Sequence, residues 1–161
     1  MNIHQFNEKS SIEIQDLLIR CVNIPHWAQH IACHRPYENR QKLLTIAKIL
    51  ALDWTWDDIL TALHAHPKIG EKDKNSNHNY SSNEQADISQ NASDLDLLKQ
   101  ANQNYEEKFG FIFLIKAKGL TTDQVLVQIK QRLNNTIDVE KKCVHEQLIL
   151  ITLLRLEQEI L

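Results

Sequence analysis

The chain has 161 residues, 42% of them apolar, with a formal charge of -3 and a pI near 6.2, enough for one domain that buries a core without staples. So slight an acidic balance creates no basic field of the kind that draws proteins onto phosphate backbones, which argues against nucleic acid as a partner. No segment approaches the roughly 20 apolar residues of a membrane span, and MNIHQFNEKSS lacks the basic leader and apolar run of an export signal, so a soluble, cytoplasmic protein is expected.

Only three glycines and three prolines occur, too few for the many tight turns of an all-β fold, so helices should dominate. Ser10 opens a Ser-x-x-Glu capping box closed by Glu13, and Ile14, Leu17, Leu18, Cys21 and Val22 follow at helical spacing until Pro25. A short helix is expected over 26–33, and ENRQKLLTIAKILAL from Glu38 sets Leu43, Leu44, Ala47, Leu50 and Ala51 on one face. Thr55 and Asp58 start another helix, which runs out at His64 to His66 because Pro67 disfavours helical geometry in the residue before it. EKDKNSNHNY, between Gly70 and Ser81, is polar and aperiodic and reads as a loop.

SSNEQADISQ restarts a helix, and Ser93 caps a longer one with Leu97, Leu98, Ala101, Tyr105 and Phe109 on its stripe. Gly110 is placed to end it in the left-handed conformation. The run FIFLIKAKG reads as a buried strand or extended segment with no obvious strand partner. Two helices remain, one capped at Thr121 or Thr122 and one from about Ile137 to the end. Cys21, Cys33 and Cys143 form no paired framework and are expected as buried thiols.

Candidate chemistry centres on HAHPKIGEK at 64–72. His64 and His66 are two apart, so on a helix they face about 200° away from each other and cannot share a metal, although in an extended segment they could. His26, His30, His34 and His145 bring no HExxH or Cys-x-x-Cys company, so no metal site is expected. On local sequence alone His66 reads first as a helix-terminal imidazole facing the negative end of a dipole. Ser81 with Glu84 reads as a capping box, while Gln85 adds a second planar hydrogen-bonding group at an N-terminus suited to anions or a polar ring. Arg132 reads as a solvated face residue; Arg155 stands out as the basic group within LILITLLRLEQEIL, where burial would demand an anionic partner.

Taken in order, HAHPKIGEK, SSNEQA, NQNYEEKFGFIFLIKAKG, QRLNN and the terminal LLRLEQEIL closely resemble the 2-oxo-4-hydroxy-4-carboxy-5-ureidoimidazoline (OHCU) decarboxylase family of urate degradation. The likeness runs from PHWAQHIACHRPY to the C-terminus. It implies an all-α, single-domain bundle of about seven to eight helices over residues 1–161, a homodimer, and cofactor-independent decarboxylation to (S)-allantoin and CO₂.

By resemblance His66 is the general acid, with Glu84 beside it as a catalytic group and Pro67, Ser81 and Gln85 binding substrate. Phe113, Leu114, Ile115, Lys116 and Ala117 line the site largely through backbone groups. Arg155 matches the terminal-helix arginine that contacts the ligand, with Arg132 in reserve. The chain departs from the family at Ile112, often proline, and at Lys68, often acidic. Two other classes compete on the residues alone: a helical protein-interaction module, in which His66 and Glu84 are helix-end residues, and a metal-dependent hydrolase using His64 and His66.

Overall fold

Capping side chains mark where six of the described helices begin. The computed structural model describes residues 1–71 and 80–161; residues 72–79, which hold most of the expected polar loop, and the side chains of Ser81 and Ser82 lie outside the description. Among the described residues the chain forms nine helices and no strand. These are α1 (Ile3–Glu8), α2 (Ser11–Cys21), α3 (Pro25–Cys33), α4 (Arg40–Ala51), α5 (Trp56–His64), α6 (Tyr80–Glu84), α7 (Ala92–Phe109), α8 (Thr122–Arg132) and α9 (Ile137–Glu159).

The all-α expectation holds. The count exceeds it because Asn2 caps the unforeseen short α1 in a reciprocal box with Gln5. Ser10 with Glu13, Thr55 with Asp58 and Thr121 with Gln124 close reciprocal boxes on α2, α5 and α8, each satisfying donors that the first helical turn leaves without partners. The cap of α7 is Asn91, which accepts from the Ser93 N–H, so Ser93 lies inside the first turn rather than before it.

The chain divides into two compact units. The first comprises residues 1–65 and 149–161, and in it α2 packs on α3 and α3 on α4. Trp27, fully enclosed, donates its indole N–H to Ala47 O at 3.0 Å and meets Trp54 edge-on at 5.7 Å. That geometry suits the aromatic quadrupole while the polar end of Trp27 stays hydrogen-bonded. Arg35 donates to Phe6 O at 3.1 Å and Lys9 O at 2.6 Å, covering carbonyls that the end of α1 leaves open. Cys21 is buried as expected, but Cys33 is exposed and Cys143 half-buried. Cys33 ends α3 on the face turned to solvent.

Asp58 serves two partners, the Thr55 N–H that it caps at 2.9 Å and the His26 ring at 3.0 Å. Burial pushes its carboxyl up, but the bonds from Thr55 and His26 together outweigh that and hold it below its ordinary value of 3.8. A carboxylate depressed on folding contributes stability that is present above its unfolded pKa and lost as pH falls through the depressed value. Asp58→Ala is therefore expected to lower the melting temperature at pH 7 by roughly 2–4 °C, for a cap worth about 1 kcal/mol. Thermal melts at descending pH should show the gap to wild type closing below 3.8.

The second unit comprises residues 66–148. Here α7 packs on α8, burying Leu98, Asn102, Tyr105 and Phe109 on one stripe. Leu97, expected on that stripe, is exposed, because the 3.6-residue period carries position 97 past the edge of the buried face. Tyr105 gathers Phe109 at 4.7 Å and Phe113 at 5.2 Å. Gly110 ends α7 with φ of 81°, the left-handed conformation that other residues adopt at a cost. No described helix is long and apolar enough to cross a membrane.

Candidate active site

Unit two opens at His66, immediately after α5 ends at His64 and its cap residue Ala65. His64 is exposed, whereas His66 and Pro67 are half-buried. Three ties fix the course of the chain just beyond the imidazole. Lys68 Nζ pairs with Glu106 at 2.8 Å, and that carboxylate raises the pKa of the lysine. Asn102 Nδ2 donates to Ile69 O at 3.1 Å, and Gly70 N–H donates to Gln85 Oε1 at 3.0 Å.

Gly70 has φ of +89°, a conformation in which a side chain is strained, and a Cβ there would also press on the Leu98 side chain of α7 at 3.3 Å. The tie from Gly70 to Gln85 brings the HPKIG and SSNEQ motifs together, though 15 residues separate the bonded pair in sequence. A cavity of about 200 Å³ opens on this segment, walled by Lys68, Gly70, Leu95, Lys99 and Asn102; His66 and Glu84 are not among its walls.

Helix α6 begins at Tyr80, one residue before Ser81, and ends at Glu84. Glu84 and Gln85 therefore sit at its C-terminal end, not in the N-terminal turn expected from the capping-box reading, so α6 supplies them no anion-favouring amides. Glu84 is buried, at 8% exposure, and Gln85 half-buried. The Ser81 side chain, assigned to substrate by resemblance, is outside the described residues.

Residues 113–117 thread the interior without forming a strand: Phe113, Leu114, Ile115 and Ala117 are buried and Lys116 half-buried. Buried backbone must find partners, and here two side chains take the place of a neighbouring strand. Arg132 Nη1 donates to Leu114 O at 2.6 Å, and Lys116 N–H donates to Gln147 Oε1 at 2.9 Å.

Arg132 is not the solvated residue its helix suggested. It is 8% exposed, lies over the Phe113 ring at 4.4 Å, and bonds through Nε to Glu140 Oε1 at 2.6 Å. Glu140 is fully buried and also accepts from the Tyr105 hydroxyl and, at 3.1 Å, from Asn135 Nδ2. Burial, then the bond to Glu140, raises the pKa of Tyr105, which stays a neutral donor. These bonds place Arg132 in the scaffold behind the 113–117 segment. Arg155 belongs to unit one, where it is buried and donates through Nη1 to Cys21 O at 3.1 Å.

Sequence reasoning missed Asn102, Glu140 and Gln147. Asn102 and Glu140 each left a signal, a polar group at i+4 or i−4 from buried apolar residues (Leu98 for the first, Val144 for the second), which implies a bonded partner inside. Gln147 left none, since its partner is a main-chain N–H.

The model of the OHCU decarboxylase family matches residues 7–157. The chain belongs to the OHCU decarboxylase family. It is 29% identical to a protein whose crystal structure was determined as OHCU decarboxylase in the presence of (S)-allantoin, with a TM-score of 0.77 over 89% of this chain and 96% of that one. It is also 24% identical over 135 residues to the 2-oxo-4-hydroxy-4-carboxy-5-ureidoimidazoline decarboxylase of Haloferax volcanii, covering 83% of this chain and 80% of the relative.

Two longer relatives are the uric acid degradation bifunctional proteins of Bacillus sp. (strain TB-90), at 27% identity over 98% of this chain, and of Arabidopsis thaliana, at 30% over 84%. The chain spans 32% and 44% of their respective lengths. Membership of this decarboxylase family accounts for the order of the HPKIG, SSNEQ and FGFIF motifs, which spacing alone left open.

Proposed function

We propose that the protein decarboxylates 2-oxo-4-hydroxy-4-carboxy-5-ureidoimidazoline to (S)-allantoin, and that His66 is its general acid. The observation that carries the reading is the joining of two family motifs in one unit: His66 is half-buried at the head of a segment tied through Gly70 to Gln85, the residue that follows the buried Glu84 in sequence.

The substrate explains why few groups suffice. Its carboxylate sits on a hydroxyl-bearing ring carbon next to a C=N bond. When the bond to CO₂ breaks, its electron pair forms a C=C bond and the C=N pair moves onto nitrogen, which takes a proton. The substrate is its own electron sink, so no cofactor is invoked to stabilise a carbanion. The enol left behind must then accept a proton at the ureido-bearing carbon, from one face, while its hydroxyl proton leaves to give the carbonyl. Histidine, with an unperturbed pKa of about 6.5, can hold and deliver that proton near neutral pH.

In this reading Glu84 fixes a substrate hydroxyl or ring N–H and orients His66. Pro67, Gln85, the Ser81 hydroxyl and the backbone of residues 113–117 hold the ureido and ring amide groups. Arg155 is proposed to offset the substrate carboxylate, on the terminal-helix motif alone. A single domain acting as a cytoplasmic homodimer belongs to the same proposal, supported by one family model that runs through both units.

The test is a chiral assay of allantoin formed from freshly hydrolysed 5-hydroxyisourate. The protein is expected to speed its formation and to give the (S) enantiomer in excess, where the spontaneous reaction gives a racemate. A racemic product at the spontaneous rate would refute the activity.

A further inference from the structure

An extended backbone repeats every two residues, so the N–H and C=O groups of residues i and i+2 lie along one edge and those of i+1 along the other. In the 113–117 segment the two side-chain bonds fall two residues apart: Arg132 on Leu114 O and Gln147 on Lys116 N–H. Both bonded residues are even-numbered. Among the described residues the backbone of Ile115, between them, takes no hydrogen bond, although its side chain is buried.

The two holders are themselves fixed differently. Arg132 is locked by the fully buried Glu140 and by the Phe113 face. Gln147, half-buried on α9, hydrogen-bonds the segment at the residue after Ile115.

We propose that Gln147 is a positioning residue: by accepting the Lys116 N–H on one edge, with Arg132 holding Leu114 O, it aims the Ile115 edge at the amide and ureido groups of the substrate. This rests on the proposed activity and adds to it a residue outside the family motifs. An edge that carries an N–H and a C=O side by side matches an amide or ureido group that offers the reverse pair. Removing its support should loosen the hold on the part of the substrate remote from the reacting carbons, so the loss appears in KM rather than in the facial choice made by His66.

The experiment compares Gln147→Leu with Gln147→Glu in the full chain, reading KM and kcat, the enantiomeric excess, and hydrogen exchange at the Lys116 amide. Leucine keeps the bulk and removes the acceptor; glutamate keeps an acceptor. Q147L is expected to raise KM by roughly 10-fold or more, for a displaced contact and a lost hydrogen bond, with the excess of (S)-allantoin unchanged and the Lys116 amide exchanging faster. Q147E is expected to restore both KM and protection. If Gln147 merely fills space, leucine will be the better substitute and glutamate the worse, and the inference fails. An active wild type with KM unchanged in Q147L overturns this inference alone, whereas a wild type that leaves the reaction racemic and unaccelerated overturns the proposed activity and this inference with it.

Discussion

Replacing His66 with alanine is expected to slow decarboxylation by about 10²- to 10⁴-fold, the usual contribution of a positioned general acid, and to abolish the enantiomeric excess. The two losses have one cause. Without the imidazole the enol takes its proton from water, which reaches either face. The variant should fold normally, since His66 is half-buried and at a helix end, and far-ultraviolet circular dichroism can confirm it. His64→Ala supplies the control: that ring is exposed, and its removal should leave rate and excess at wild-type values. Fast, enantioselective product formation by H66A would mean that another group is the acid. Should H64A instead prove to be the damaging change, His64 and not His66 would be the acid.

Glu140→Ala should be the most destabilising single change in unit two. It strips the partner from a buried guanidinium and removes the acceptor of the Tyr105 hydroxyl. Breaking a buried pair on one side typically costs about 3–5 kcal/mol, because the surviving charge is left uncompensated. In a chain of this size that corresponds to a fall in melting temperature of about 6–20 °C. The paired replacement Arg132→Met with Glu140→Leu separates stability from function. Apolar substitutes for a buried ion pair are often neutral or stabilising, so much of the thermal stability should return. Activity should not, since methionine offers Leu114 O no donor. Thermal melts beside steady-state kinetics on the two variants would show this divergence; activity recovering in step with stability would remove Arg132 from the support of the 113–117 backbone.

Much of the helical frame was legible in the sequence because its signals are local. The reciprocal boxes at Ser10, Thr55 and Thr121 and the glycine stop at Gly110 depend on residues within one turn of each other. Misreadings arose where tertiary partners decide. SSNEQ looks like a cap followed by a helix, yet α6 closes after five residues at Glu84, and the Gln85 side chain bonds Gly70. FIFLIKAKG looks like a strand in search of a neighbour; two of its backbone groups instead bond side chains from α8 and α9. Arg132 looks solvated until Glu140, eight residues away across a helix boundary, is seen to enclose it. Of the candidate site, residue types and motif order were visible in the chain, while the bonds that tie motif to motif were not.

Unit two is continuous in sequence, from His66 to Leu148, whereas unit one joins the first 65 residues to the last stretch, Ile149–Leu161. Ribosomal synthesis proceeds from the N-terminus, so the helices of residues 1–65 emerge before unit two and cannot complete their own core until residues 149–161 have followed it. Their apolar faces stay open throughout the synthesis of unit two, which can close first. The later-starting half is thus the earlier to mature, and the wait imposed on the leading half makes it the portion of the nascent chain most in need of shielding from aggregation.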